Sequence, residues 1–481
     1  MRFLTFFLLF LLRSQSVFAQ EHQAYTPDPD PEIRQRLEDW QDLKFGLLMH
    51  WGAYSQWGIV ESWSICPEDL GWATGARKPG VSDNYNDYVR AYENLKTTFN
   101  PTKFNPERWA AAAREAGMKY VVFTTKHHDG FCMFDSDQTD YKITDPGCPF
   151  SSSPRSNVAK EVFNAFRKEG LWTGAYFSKP DWHCDAYWWK KFPASDRNCN
   201  YSIAKYPEQW EKYVQYTHNQ IDELMTDYGK MDILWLDGGW VRTKTQSEIV
   251  AELTEVYEGS RWARNPQSQD IRMGEIVRKA RVKQPGLIVV DRAVPGQYQN
   301  YLTPEQHIPD EGLPYPWETC MTMAGSWSYV PNDKYKPTDE LIEKLVDIVS
   351  KGGNFLLNVG PGPDGEFDPV AYDRLREIGE WMKVNGEAVY GTRMAETFSE
   401  GDHIRFTRSK YGRRFIYLFQ PPGEKVIISK MPFEKGAKLR MFGSDARIAW
   451  KQTGDMVEIS IPAAAVSAGK YVWVLEYSGW R

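Results

Sequence analysis

The segment Asp232-Ile-Leu-Trp-Leu-Asp237-Gly-Gly-Trp240 sets a carboxylate at the end of an apolar run, with two glycines directly behind it. A carboxylate at the point where a buried strand emerges is held in position, and the glycines leave its front face open. Trp235, two residues earlier, lies on the same side of the strand. An aspartate that caps a helix or closes a turn would explain the same residues without catalysis. One chemistry that uses such a group is retaining glycoside hydrolysis. It needs a second carboxyl about 5–5.5 Å away to protonate the leaving oxygen and later activate water. That second acid must come from another strand end. Glu305 in Thr303-Pro304-Glu305-Gln306, Glu318 in Pro316-Trp317-Glu318-Thr319-Cys320, Asp291 and Glu61 are all candidates, and spacing does not choose among them.

Lys126-His127-His128-Asp129-Gly130-Phe131 invites a metal reading, with His50 as a third ligand. Adjacent histidines on a strand point to opposite faces, so both can reach one ion only if the strand has already ended. None of these histidines sits in a His-x-His or Glu-x-x-His pattern, and the expectation is that no metal or cofactor is used. The competing reading is a neutral hydrogen-bonding cluster, each imidazole offering one donor and one acceptor to sugar hydroxyls.

The elements that must position these groups repeat one unit of helix, glycine, apolar strand and polar loop. Asn105-Pro106 caps a helix carrying Trp109, Ala112, Ala113 and Ala116, Gly117 ends it, and a strand over 118–125 follows. The unit recurs with helices over 158–168, 210–228, 271–282 and 341–350 and strands over 171–177, 232–236, 287–290 and 355–359, after an opening strand over 45–49. Near-continuous apolar strands alternating with helices predict a parallel sheet covered on both faces. Polar residues follow several different strands: His50, His127-His128-Asp129, Ser178, Asp237 and Asp291-Arg292. That distribution suits a TIM-type barrel, and no glycine-rich dinucleotide fingerprint follows an early strand. After about Tyr390 short strands at regular spacing predict a small antiparallel β-sandwich. The expected organisation is a (β/α)8-like barrel over 20–392 and a sandwich over 393–481, behind a secretory leader over 1–19. The leader reads from Arg2, an apolar run from Phe3 to Leu12 and a polar stretch ending in Val17-Phe18-Ala19.

Composition agrees with a soluble globular protein. The chain has 481 residues, a net charge of -6 and no long basic run, which disfavours nucleic acid and anionic membranes as partners. The leader's apolar run is too short to span a bilayer and no later segment reaches spanning length, so the mature protein is expected to be exported and free of membrane spans. Twenty Trp, 26 Tyr and 24 Phe suit the packing of aromatic faces on pyranose rings, although a large aromatic core would use them equally well. Six cysteines without CxxC spacing argue against structural zinc. Cys184 and Cys199 are near enough in sequence to staple a loop, and free thiols are an equally good reading.

Taken together, these motifs resemble the family 29 glycoside hydrolases, the α-L-fucosidases, from about Lys44 to Gly365. Lys44-Phe-Gly-Leu-Leu-Met-His50-Trp-Gly52 is similar to the family's opening strand, and Tyr120 to Phe131 to its double-histidine strand. Trp235-Leu-Asp237-Gly is similar to its nucleophile motif and Gly353 to Pro361 to its closing strand. The resemblance implies a barrel with a C-terminal β-sandwich, a double-displacement retaining mechanism, a fucosylated glycan as substrate and no metal. It further implies Asp237 as nucleophile, with His50, His127, His128, Tyr176, Trp235 and Arg292 binding the sugar. Glu61 and Trp63 would form an acidic-aromatic pair for the remaining hydroxyls, here separated by Ser62. Glu305 follows Arg292 at a distance similar to that of the family's acid and is expected as acid/base, with Glu318 as its structural or substrate-binding neighbour. The segments from Trp182 to Tyr206 and from Trp240 to Met273 are expected to be rim loops that decide linkage. Two other readings stay open: a retaining hydrolase of a related sugar such as a galactoside, and a non-catalytic carbohydrate-binding protein on the same barrel.

Overall fold

Seven short segments align side by side in one parallel sheet: β1 Phe45–Met49, β2 Tyr120–Lys126, β3 Trp172–Ser178, β4 Ile233–Asp237, β5 Ile288–Asp291, β6 Glu318–Thr322 and β7 Asn354–Asn358. This is a computed structural model describing residues 25–67, 77–254, 265–434 and 436–478, and the expected leader lies outside them. The strand order β5-β4-β3-β2-β1-β7-β6 is that of a barrel opened at one seam. At the seam, the extended stretch 299–306 lies between the two free edges. Asn300 N donates to Val289 O at 3.0 Å on one side, and Glu318 N donates to Leu302 O at 2.8 Å on the other. Contacts there are single bridges, Leu302 with Trp317 and Glu305 with Cys320, so the sheet carries seven ladder strands and not the expected eight.

The curl of the sheet encloses one apolar cluster drawn from every strand, including Leu48, Val122, Tyr176, Trp235, Val290, Cys320 and Leu356. Tyr301 from the seam joins it, as do Ile33, Leu37 and Trp40 of the helix Pro31–Leu43, whose Trp40 stacks on Tyr301 at 4.0 Å. That helix, capped by Asp30 on the amide of Glu32, has no counterpart among the helices expected from the sequence. The expected cap at Asn105 is present, its side chain accepting from Arg108 N at the start of the helix Pro106–Glu115. Gly117 follows with φ +87°, where a Cβ would lie 2.8 Å from the Tyr390 hydroxyl.

Beyond the barrel, β8 Thr392–Glu400, β9 Ile404–Ser409, β10 Arg414–Leu418, β12 Lys438–Met441 and β15 Trp473–Ser478 form a five-stranded antiparallel sheet. The remaining strands, β11 Lys425–Ile428, β13 Ala449–Thr453 and β14 Met456–Ser460, form a three-stranded one. Phe406, Ile416 and Leu475 of the larger sheet share one apolar cluster with Ile428, Val457 and Ile459 of the smaller. Arg393 ties this region to the barrel through Asp42 and Glu38, both at 2.7 Å. None of the six cysteines is in a disulfide, so Cys184 and Cys199 are not joined. Among the described residues no helix is long and apolar enough to cross a membrane.

Candidate active site

Asp237 ends β4, where the ladder to β3 pairs it with Ser178. Its two following glycines have distinct reasons. Gly238 has φ +88° and a Cβ there would lie 2.3 Å from Pro180 Cδ, while a Cβ on Gly239 would lie 2.9 Å from the carbonyl oxygen of Arg292. The Asp237 carboxylate is heavily engaged. Oδ2 accepts from the Tyr176 hydroxyl at 2.8 Å, and Oδ1 accepts from the Gly238 amide at 2.7 Å and from Arg292 Nη1 at 3.1 Å. Burial pushes the carboxyl's pKa up, but Arg292, His128, Tyr176 and the Gly238 amide together outweigh it and hold the group well below the ordinary carboxylate range. The side chain is therefore an anion at any working pH.

Arg292 spans two acids, since its other terminal nitrogen, Nη2, contacts Glu305. One guanidinium thus contacts both carboxylates, each through a different terminal nitrogen, and places the two acids on one side of the site. Glu305 is 38% exposed at its side chain, at the open end of the seam. The other three candidate acids are withdrawn from this arrangement. Asp291 is buried and paired with Lys179 Nζ at 2.5 Å. Glu61 is buried and accepts from Ser328 N at 2.8 Å, and burial pushes its carboxyl up to about 7. Glu318 is 0% exposed, with one oxygen accepting from the Tyr120 hydroxyl at 2.5 Å and the other from Trp235 Nε1 at 3.3 Å, which fits a structural neighbour of the site. Burial raises its carboxyl to about 7.

The histidines converge because β2 stops at Lys126. His127 and His128 lie beyond the ladder, in a turn closed by Gly130 N to His127 O at 3.1 Å, and their rings are 4.2 Å apart. The alternation that would have sent them to opposite faces no longer applies. His50 Nδ1 pairs with Asn358 Oδ1 at 2.8 Å, and His127 Nδ1 with the Ser62 hydroxyl. Burial drives all three rings toward the neutral form, His50 to about 4, His128 to about 3 and His127 well below its usual value. Trp235 stacks on Tyr176 at 5.3 Å and lies under Arg292, making an aromatic floor. Two buried nitrogens of the cluster, His128 Nδ1 and Arg292 Nε, have no hydrogen-bond partner among the described residues. Such orphans cost roughly 1–3 kcal/mol each unless a bound molecule meets them.

His127, His128 and Asp237 could offer one ligand atom each to a metal, all within 4.8 Å of one another. The same carboxylate already carries a guanidinium and a phenol, which compensate the negative charge a divalent cation would require.

Several residues that sequence reasoning did not single out complete the site. Asn358 and Ser62 orient His50 and His127. Trp327 lies 5.2 Å from His50, and Trp182 and Trp240 join Trp63 around His128, each ring at 5.2 Å. The signal for the tryptophans is their place in polar loops just after strands. The two expected rim segments are knitted together, with Gln269 bonded to Asn198 and to Cys199 N and Gln267 to Tyr201 O. The second also contains a helix, Gln246–Thr254.

A family model described as "Alpha-L-fucosidase" matches residues 12–387. The tissue alpha-L-fucosidase of Homo sapiens is 28% identical over 495 residues, covering 98% of this chain and 96% of the relative. The plasma alpha-L-fucosidase of Rattus norvegicus is 27% identical over 501 residues, covering 98% of each. Among solved structures, alpha-L-fucosidase isoenzyme 1 from Paenibacillus thiaminolyticus superposes with a TM-score of 0.72 at 29% identity, over 93% of this chain and 99% of that one. The Thermotoga maritima alpha-fucosidase in complex with fucose gives 0.70 at 28% identity, over 95% and 100%.

Proposed function

The chain belongs to the α-L-fucosidase family, and from that premise we propose a division of labour among its residues in the retaining hydrolysis of terminal α-L-fucosyl linkages. Asp237 attacks the anomeric carbon, and the glycosidic C–O bond breaks as Glu305 gives its proton to the leaving oxygen. A covalent fucosyl ester remains on Asp237. Glu305, now a carboxylate, takes a proton from water, the water oxygen bonds to the anomeric carbon, and Asp237 is released. The observation that carries this reading is the Arg292 guanidinium held between the two carboxylates. It keeps the nucleophile ionised and holds the second carboxyl beside it.

The neutral imidazoles of His50, His127 and His128, with Trp63 and Glu61 beside them, meet the sugar hydroxyls, each ring donating or accepting as its tautomer requires. Tyr176 and Trp235 form the floor, and Glu318 supports it from below. Burying the sugar's single methyl contributes about 1 kcal/mol or less, so selectivity rests on the hydrogen bonds. The stretch 299–306 serves as the eighth stave of a (β/α)8-like barrel, residues 20–392 form the catalytic unit, and 393–481 form an accessory sandwich. The knitted rim loops select the linkage on a fucosylated glycan. The leader over 1–19 directs export, which N-terminal sequencing of the mature protein tests.

The deciding experiment is trapping with a 2-fluoro-fucosyl fluoride followed by peptide mapping. A label on Asp237 is the expected result, and a label on another residue refutes the assignment. For the acid, Glu305→Ala is expected to be rescued by azide on aryl fucosides with good leaving groups. Rescue of Glu318→Ala in its place would reverse the two roles.

A further inference from the structure

We propose that the buried ion pair Lys179–Asp291 is a positioning strap that sets the nucleophile and Arg292 at matching heights, an inference that rests on Asp237 being the nucleophile. Lys179 follows β3 and Asp291 ends β5, yet their side chains meet at 2.5 Å with exposures of 0% and 3%. The strand between them is β4, so the pair crosses the exit of the strand that carries Asp237. Main-chain bonds sew the same junction: Lys179 N donates to Asp237 O at 2.9 Å, and Arg292 N donates to Leu236 O at 3.1 Å. The far side of Lys179 is anchored too, its carbonyl accepting from the Tyr213 hydroxyl.

Three strand ends therefore move as one. They are those bearing Tyr176, Asp237 and Arg292, and both side-chain bonds from Tyr176 and Arg292 to Asp237 depend on their relative height. Two ions withdrawn from water inside a barrel wall gain little net stability from each other, and a neutral pair of similar size commonly folds as well. What the neutral pair lacks is a short, directional bond of fixed length across β4. A displacement of about 1 Å at reacting groups costs on the order of a hundredfold in rate.

The test uses the full chain carrying Lys179→Met and Asp291→Asn together, beside each single variant and Lys179→Arg. Each single removal leaves one buried group unmatched and is expected to lower the melting temperature. The double variant is expected to melt near wild type and to bind free fucose within about threefold of it. Its kcat and its rate of trapping by a 2-fluoro-fucosyl fluoride are expected to fall about 10- to 100-fold. Lys179→Arg, which keeps the charge, should lose less rate than the double variant. A double variant that folds and traps at the wild-type rate overturns the proposal. So does one that loses the fold, since the ions would then serve stability, or one that loses fucose affinity as steeply as rate, since the site as a whole would then have collapsed. Labelling of wild type away from Asp237 would instead strike the nucleophile assignment, and the two failures are thereby told apart.

Discussion

Replacing Glu318 with glutamine separates a supporting carboxyl from a catalytic one, because the two roles make opposite demands on the same variant. Glu318 is fully buried, and burial moves its carboxyl from 4.5 to about 7. At 1.36 kcal/mol per pH unit, that difference corresponds to about 3 kcal/mol. The sign follows from proton binding. Between pH 4.5 and 7 the folded chain keeps the proton that the unfolded chain has lost, so stability falls as pH rises through this window and is level above it. The amide of the variant cannot titrate. The stability of Glu318→Gln minus that of wild type is therefore expected to climb by about 3 kcal/mol from pH 4.5 to pH 7.5. The buried Glu61 titrates in the same window but is present in both proteins and cancels in the difference. Urea denaturation at stepped pH measures the climb, and kinetics on an aryl fucoside and on a natural glycan measure the role. Activity should stay within about tenfold, whereas loss of a true general acid costs about 10²- to 10⁴-fold. A flat stability difference would refute the account of burial, and a hundredfold loss on the natural glycan would refute the supporting role.

Arg292→Met removes the charge that keeps Asp237 ionised, so the acid limb of kcat/KM is expected to move to higher pH, by on the order of one to three units, in a pH–rate profile. His128→Phe deletes a ring whose Nδ1 has no protein partner among the described residues. It should weaken fucose binding by about 1–3 kcal/mol in titration calorimetry while changing the melting temperature little. Gly238→Ala places a Cβ 2.3 Å from Pro180 at φ +88°. That displaces the Asp237 carboxylate, and a loss of about a hundredfold in kcat with a smaller change in fucose affinity is expected from steady-state and binding measurements. Exhaustive chelation should leave kcat unchanged, and reactivation by any divalent cation would contradict the charge balance at Asp237.

Much of this arrangement is legible in the sequence because a buried parallel strand is nearly all apolar. The opening strand falls on 45–49 as expected, and the strands around residues 120, 172, 233, 288 and 355 fall within a residue or two of their expected places. β6 escapes this reading since Glu-Thr-Cys-Met-Thr is mostly polar, and its burial depends on Tyr120 and Trp235, which lie far away in sequence. The same distance hides the true surroundings of Glu318, which local sequence cannot distinguish from those of Glu305. The convergence of the histidine pair depends on where β2 stops, because alternation holds only within a strand, and the ladder ends at Lys126, just before His127. The helix Pro31–Leu43 is hidden for another reason: it buries only Ile33, Leu37 and Trp40 among charged neighbours. In the C-terminal region the expected short strands are present, and β8 and the exposed β13, absent from that expectation, carry the least clear apolar faces.

The seam between β5 and β6 has a bearing on how enzymes of this architecture diversify. Asp237 is fixed by continuous pairing on both sides of its strand, so inherited change there is confined to substitution in place. Glu305 rides on a stretch fastened at isolated points, where adding or removing a residue would shift its carboxyl without unravelling its neighbours. Lineages would thus be free to try new positions for that carboxyl against a fixed Asp237, and an engineer altering product scope would begin at that hem of the fold.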